Sequence, residues 1–262
     1  MSLAFDLSRR SRPRVARIGG LGIETLGLSE TAQAFIDYCL SETRRAAPRP
    51  LYSTSVNGQV ISQCASDSQL AEMMREADSI SADSQPLVIL SRYLCRNPLP
   101  ERVATTDLFP ETAALAEKAG VSFYLLGSTE EVNARAAEAV SKAYPNLRTV
   151  GRRHGYFSRG EEGEICAEIA ALRPDILWVS LGVPLEQRFA LRNLAALRGV
   201  GIVKTAGGLL DFVASAKPRA PQWMQKAGLE WLFRLAVEPR RLFWRYAVTS
   251  PHALFVMLRT MR

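Results

Sequence analysis

Short apolar runs, each followed by a longer stretch with helical periodicity, recur along most of this 262-residue chain, and nothing else in the sequence restricts the fold as much. The runs are Val15 to Ile23, Leu51 to Ile61, Ser79 to Ala82, Pro86 to Leu90, Val121 to Gly127, Asp175 to Gly182 and Gly201 to Thr205. Most have the length and continuity of buried strands. Between them lie Ser29 to Glu42, Asp67 to Ala77, Asp107 to Gly120, Thr129 to Tyr144, Glu161 to Leu172 and Pro184 to Leu197, with apolar residues at helical spacing. The expected fold is therefore α/β, a mostly parallel, Rossmann-like sheet covered by helices on both faces. Ligands of such sheets bind where strands end and loops open, at the carboxyl edge.

The alternation stops near Gly207, which divides the chain into a sheet domain over residues 1–206 and a helical appendage over residues 207–262. Pro239 and Pro251 predict two or three short helices from Pro221 to Arg262, because proline removes a backbone donor and crowds the preceding turn. Charge matters here. The chain carries +7, and Lys217 to Arg262 alone holds nine Lys/Arg against two acids, which leaves the rest balanced. Three of the four tryptophans, Trp223, Trp231 and Trp244, lie in the same segment. Cations beside interfacial aromatics suit an anionic membrane surface. The same residues would suit RNA, with rings stacked on bases, or a helical pair covering the sheet with its charges solvated. The tryptophan density favours the surface-active reading, and an exposed aromatic tail hints at a homo-oligomer away from membranes.

No stretch approaches the roughly 20 apolar residues that span a bilayer. Met1 to Pro13 is polar and Arg-rich without the apolar core of a secretory signal, so the expected location is cytoplasmic, peripheral at the inner face of the membrane. Cys39, Cys64, Cys95 and Cys166 are scattered and form no CxxC pair, which suits reduced thiols rather than a zinc or dithiol motif.

Candidate site residues fall at strand ends. Gly127 and Ser128 close an apolar run just before a helix, where backbone N–H groups can hold an anion, although an ordinary strand-helix turn reads the same way. Gly182-Val-Pro184 breaks another run ahead of Glu186 and Gln187, and Ala206-Gly-Gly-Leu-Leu-Asp211 ends a third. Three such ends favour a nucleotide cleft. Asp83 follows Ser79 to Ala82, where a carboxylate could act as general base or cap a helix. Ser55 and Asn57 end another run and offer short polar groups, or a turn with Gly58. His154 and Tyr156, among Arg152 and Arg153, suit a base, ribose or phosphate contact, or a structural role. Two histidines and no Asp-x-Asp triplet argue against a metal centre and for arginine as the counter-charge to a diphosphate. The absence of GxGxxG weighs against a nicotinamide oxidoreductase.

Together these residues resemble a family of bacterial glycosyltransferases that includes the enterobacterial-common-antigen N-acetylmannosaminuronic acid transferase and the teichoic-acid N-acetylmannosamine transferase. The resemblance spans about Ile18 to Tyr246 and is most specific from Lys217 to Tyr246, with Pro100-Glu-Arg-Val103, Asp107-Leu-Phe-Pro110, Leu125-Leu-Gly127, His154-Gly-Tyr-Phe157 and Pro174-Asp-Ile-Leu177 in the expected order. It implies inverting, metal-independent transfer, with no cofactor, from a UDP-sugar to a saccharide on undecaprenyl diphosphate. Asp83 falls on the family's base, Ser55 and Asn57 on its Thr-x-Asn element, and Arg102 on the Arg of Pro-Glu-Arg-Val. The resemblance also makes the appendage a membrane-docking lid, in which Arg234, Arg241 or Arg245 meets the diphosphate. Two departures, Asp83-Ser84 for Asp-Gly and Pro184-Leu-Glu-Gln187 for Pro-Lys-Gln-Glu, point to a branch resembling exopolysaccharide β-1,4-glucosyltransferases. Glucosyl transfer is accordingly expected ahead of N-acetylmannosaminyl or uronosyl transfer. A non-enzymatic RNA-binding module is the rival from another class.

Overall fold

The computed structural model describes residues 14–214, 220–221, 224, 230–237 and 239–261, and within the last two ranges the side chains of 230, 231, 234 and 241–247 lie outside the description. Six strands form one all-parallel sheet: β3 (Leu51–Val56), β4 (Ser79–Ala82), β5 (Phe123–Gly127), β6 (Thr149–Arg153), β7 (Ile176–Ser180) and β8 (Ile202–Thr205). Their order is β4-β3-β8-β7-β5-β6, and β5 and β7 are buried at every position, as strands covered on both faces must be.

On one face, Leu51, Phe123, Leu125, Trp178 and Ile202 pack under α1 (Leu28–Leu40), α6 (Thr105–Ala119) and α7 (Glu130–Ala143). Phe109 and Phe123 each meet Trp178 edge to face and lie tilted to one another, with centroids 4.9–5.8 Å apart. On the other, Tyr52, Tyr124, Leu177, Val179 and Val203 pack under α8 (Glu162–Leu172) and α9 (Leu185–Asn193). A third cluster lies at the β4 end. It joins α3 (Gly58–Ser66), α4 (Ser68–Arg75) and α5 (Gln85–Leu94) to the inner face of the C-terminal helix through Ala253, Met257 and Met261. Short helices α2 (Glu42–Ala46) and α10 (Leu209–Val213) complete the sheet region, with Leu209 and Leu210 in the first cluster, and α11 (Glu230–Val237) and α12 (Pro239–Thr260) follow.

Several local expectations need correction. The Val15 to Ile23 run is an antiparallel hairpin, β1 (Val15–Ile18) and β2 (Leu21–Glu24), outside the main sheet. Gly19 and Gly20 take φ +63° and +77°, the pair of positive values a two-residue hairpin turn needs. The run from Leu51 stops as strand at Val56, and Asn57 caps α3 by accepting from the Val60 N–H at 3.0 Å. Pro86 to Leu90 is helix: Pro86 sits in the first turn of α5, where its missing N–H costs nothing. Strand β6, carrying Gly151, Arg152 and Arg153, lacks the apolar continuity that would have revealed it and lies at the sheet edge. Pro251 does not break the last helix. Packing of Ala253 and Met257 against the third cluster holds α12 continuous through it.

Candidate active site

The parallel order brings six loop openings to one edge. At the β3–β4 side, the Asp83 N–H donates to the Val56 carbonyl at 2.8 Å, so the carboxylate follows directly on the end of β4. Asp83 does not cap α5, whose N-cap is Ser84; its Oδ2 instead accepts from the Thr105 N–H of α6 at 3.4 Å. Ser55 Oγ lies 3.1 Å from Thr105 Oγ1, and both Ser55 and Asp83 are partly exposed. Asn57 uses its side-chain oxygen for the α3 cap, which leaves its amide nitrogen as the end the cap does not use. Arg102 pairs with Asp107 at 3.3 Å in the same loop region.

Beneath these groups is a residue that the sequence reading missed. Lys204, in β8, is fully buried and donates from Nζ to Ser55 Oγ at 2.7 Å. Strand register places it opposite Ser53, with Ser53 opposite Ser79 and Ser55 opposite Ser81, so one face of the sheet carries a hydroxyl-lined patch around the ammonium. Glu24 of β2 comes in from the edge, accepting from Ser79 Oγ at 2.7 Å. Burial pushes Glu24 and Glu186 up to about 7 and Lys204 down to about 8, against their mutual attraction. The available signal was a lysine inside a run of otherwise buried strand residues, Ile202 to Thr205.

Glu186 and Gln187 sit at the start of α9 but point inward, 3% and 0% exposed. Glu186 Oε2 accepts from the N–H groups of Gly182 and Gly207 at 3.1 and 2.8 Å, tying together the loops after β7 and β8. Gln187 reaches Thr54 Oγ1 at 3.5 Å, which also accepts from Thr205 Oγ1 at 2.8 Å. Asp211 is half-buried in the first turn of α10.

Farther along the edge, where β5 leads away to β6 and β7 leads back toward β8, the strand order reverses. Gly127 at φ +135° lies so close to β7 that an added Cβ would stand 2.2 Å from the Ser180 carbonyl oxygen. Ser128 at φ +57° donates its N–H to that oxygen and accepts from the Gly155 N–H at 2.8 Å. Buried Asn133 braces the same corner, its amide within 2.9–3.2 Å of the Leu125, Gly127 and Arg153 carbonyls. A cleft of about 370 Å³ opens here, lined by Thr129, Glu130, Glu131, His154 and Tyr156. Tyr156 is exposed, and His154 Nδ1 accepts from its N–H at 3.2 Å. The two site regions thus lie along the same edge of one sheet. The side chains of Arg234, Arg241 and Arg245 lie outside the described residues.

A family model described as the glycosyl transferase WecG/TagA/CpsF family matches residues 16–262. Similar proteins include the N-acetylglucosaminyldiphosphoundecaprenol N-acetyl-beta-D-mannosaminyltransferase of Bacillus subtilis strain 168, 28% identical over 226 residues, which cover 86% of each chain. A protein of the same name from Staphylococcus aureus strain MRSA252 is 27% identical over 192 residues, 73% of this chain and 74% of that one. These names favour the N-acetylmannosaminyl alternative over the glucosyl transfer expected from the sequence departures.

Proposed function

We propose that this chain, which belongs to the WecG/TagA/CpsF glycosyl transferase family, transfers N-acetylmannosamine from a UDP-linked donor to N-acetylglucosamine carried on a polyprenyl diphosphate. The observation that carries the mechanism is the partly exposed Asp83 carboxylate at the open end of β4, held by Thr105 and flanked by Ser55 and Asn57. Asp83 takes the proton of the acceptor hydroxyl as that oxygen attacks C1 of the donor sugar from the face opposite UDP, so the configuration inverts. The C1–O bond to the diphosphate breaks, and its electron pair leaves with UDP. Arginines supply the counter-charge, with Arg102 beside the base and Arg234, Arg241 or Arg245 as candidates from the appendage.

The Gly127–Ser128 turn and the His154–Tyr156 cleft are the proposed nucleotide end. They lie four to five strands from β4, about 19–24 Å at ~4.8 Å per strand. An extended nucleoside diphosphate sugar bridges a gap of that order. A lipid-linked acceptor requires access to a membrane surface, and among the described residues no helix is long and apolar enough to cross one. The exposed Val248, Leu254, Phe255 and Leu258 on the outer side of α12 are the proposed contact.

Radiolabelled UDP-N-acetylmannosamine and UDP-glucose, each offered with polyprenyl-diphosphate-linked N-acetylglucosamine in the presence of EDTA, test the reading directly. A labelled disaccharide lipid from the first donor is the expected product. Product from UDP-glucose alone would reinstate the glucosyl reading, and no product from either would refute the assignment of donor and acceptor.

A further inference from the structure

Lys204 has no part in the mechanism above, yet an ammonium at that depth is too costly to bury without compensation. It faces carboxylates from three directions: Glu186 from the start of α9, Asp83 from the end of β4, and Glu24 from β2. Two of these are anchored away from the cleft, Glu24 on the Ser79 hydroxyl and Glu186 on the N–H groups of Gly182 and Gly207. With both pushed up to about 7 by burial, each holds its proton part of the time near neutrality. Asp83, at the partly exposed edge, is the third. Hydrogen-bond direction adds a second constraint. An ammonium only donates, so Ser55 Oγ accepts from Lys204 and turns its own proton toward Thr105 Oγ1. The Thr105 N–H in turn holds Asp83 Oδ2.

We propose that Lys204 is a positioning residue for the transfer reaction: it orders Ser55 and Thr105 around Asp83 and supplies the positive field that keeps the base ionised, without touching either substrate. This rests on the reading of Asp83 as the base. A cation within a few ångströms favours the charged form of a carboxylate, and only the charged form can accept the acceptor's proton. A purely structural ion pair in the same place would affect stability and leave the pH dependence of turnover where it was.

The test is the pH–rate profile of the full chain with the lipid-linked acceptor. In Lys204→Met the acid limb of kcat/KM moves up by about one pH unit or more. The deficit in kcat/KM reaches about tenfold at pH values below both limbs and shrinks away as pH rises above the variant's limb. Lys204→Arg, which keeps the charge, holds the wild-type limb. An unmoved limb in Lys204→Met, or one displaced as far in Lys204→Arg, overturns the proposal. Should Lys204→Met fail to unfold cooperatively, Lys204→Gln decides: it is neutral yet can still donate to Ser55 Oγ, its limb moves up as in Lys204→Met, and an unmoved limb overturns the proposal. Asp83→Asn separates the two readings. Wild-type turnover in that variant refutes the base assignment itself, whereas an inactive Asp83→Asn beside an unmoved limb in Lys204→Met refutes only the part given to Lys204.

Discussion

Two carboxyls beneath the sheet edge hold their protons to a pH at which an exposed glutamate is ionised, and this makes the fold itself pH-sensitive. Glu24 is raised from 4.5 to about 7 by burial, partly offset by the Ser79 hydrogen bond and the attraction of Lys204. The unfolded chain releases this proton near 4.5 while the folded chain keeps it to about 7. Its contribution is therefore complete below pH 4.5 and is lost as pH rises through 7. The difference corresponds to about 3 kcal/mol at 1.36 kcal/mol per pH unit. Glu24→Gln keeps an acceptor for Ser79 and removes the charge, so it gains stability relative to wild type by about 1–3 kcal/mol between pH 5 and pH 8. Urea denaturation at the two pH values measures this; an equal offset at both would show that Glu24 ionises normally. At the reacting end, Asp83→Asn lowers turnover by about 10²–10⁴ and leaves UDP affinity, measured by calorimetry, within experimental scatter of wild type. The placement of Asp83 and Ser55 at strand ends was legible because each ends an apolar run in the sequence. Lys204 was not, because what makes it notable is the approach of Glu24 from β2 and Glu186 from α9, contacts that span the chain.

Elements were legible where length and continuity agreed. Strands β5 and β7 have buried runs that no surface helix would carry, and α1, α6, α7 and α8 announce themselves by spacing. Pro86 to Leu90 failed because five apolar residues fit either period, and the arbiter was Ser84 at the N-cap with proline in the first turn. Strand β6 was invisible since its partner β5, not its own composition, makes it a strand. That unforeseen strand delivers His154 and Tyr156 to the cleft, so its contribution can be tested separately from the fold. Gly127→Ala forces a Cβ against the Ser180 carbonyl and parts β5 from β7, at an expected cost of about 2–4 kcal/mol by thermal melting. Tyr156→Ala removes only an exposed ring; the melting temperature stays and UDP affinity drops by about tenfold if the ring stacks on the base. Unchanged affinity in Tyr156→Ala would move the nucleotide elsewhere along the edge.

At the scale of the whole molecule, the proposed function gives α12 two tasks, packing with one face and meeting a membrane with the other, and truncating it cannot tell them apart. Its inner face is part of the fold. Ala253 and Met257 are buried in the third cluster, His252 Nδ1 lies 2.8 Å from Ser62 Oγ, and Thr260 Oγ1 accepts from the Gly19 N–H at 2.8 Å. The outer face carries Val248, Leu254, Phe255 and Leu258, exposed by 44–66%, a stripe that gains nothing from the protein interior. Substitutions on the two faces must therefore separate stability from membrane association. Met257→Ala opens a cavity and costs about 2–4 kcal/mol of unfolding free energy, while sedimentation with vesicles of anionic phospholipid is retained under conditions where the variant is folded. Combined Leu254→Ser, Phe255→Ser and Leu258→Ser leaves stability within about 0.5 kcal/mol per site, because exposed side chains lose little when replaced. The same variant leaves the vesicles and loses activity toward a vesicle-embedded acceptor, yet retains activity toward a short-chain, water-soluble one. Full retention on vesicles would show that the stripe is not the membrane contact, and a collapse of stability would place those three side chains in the core after all.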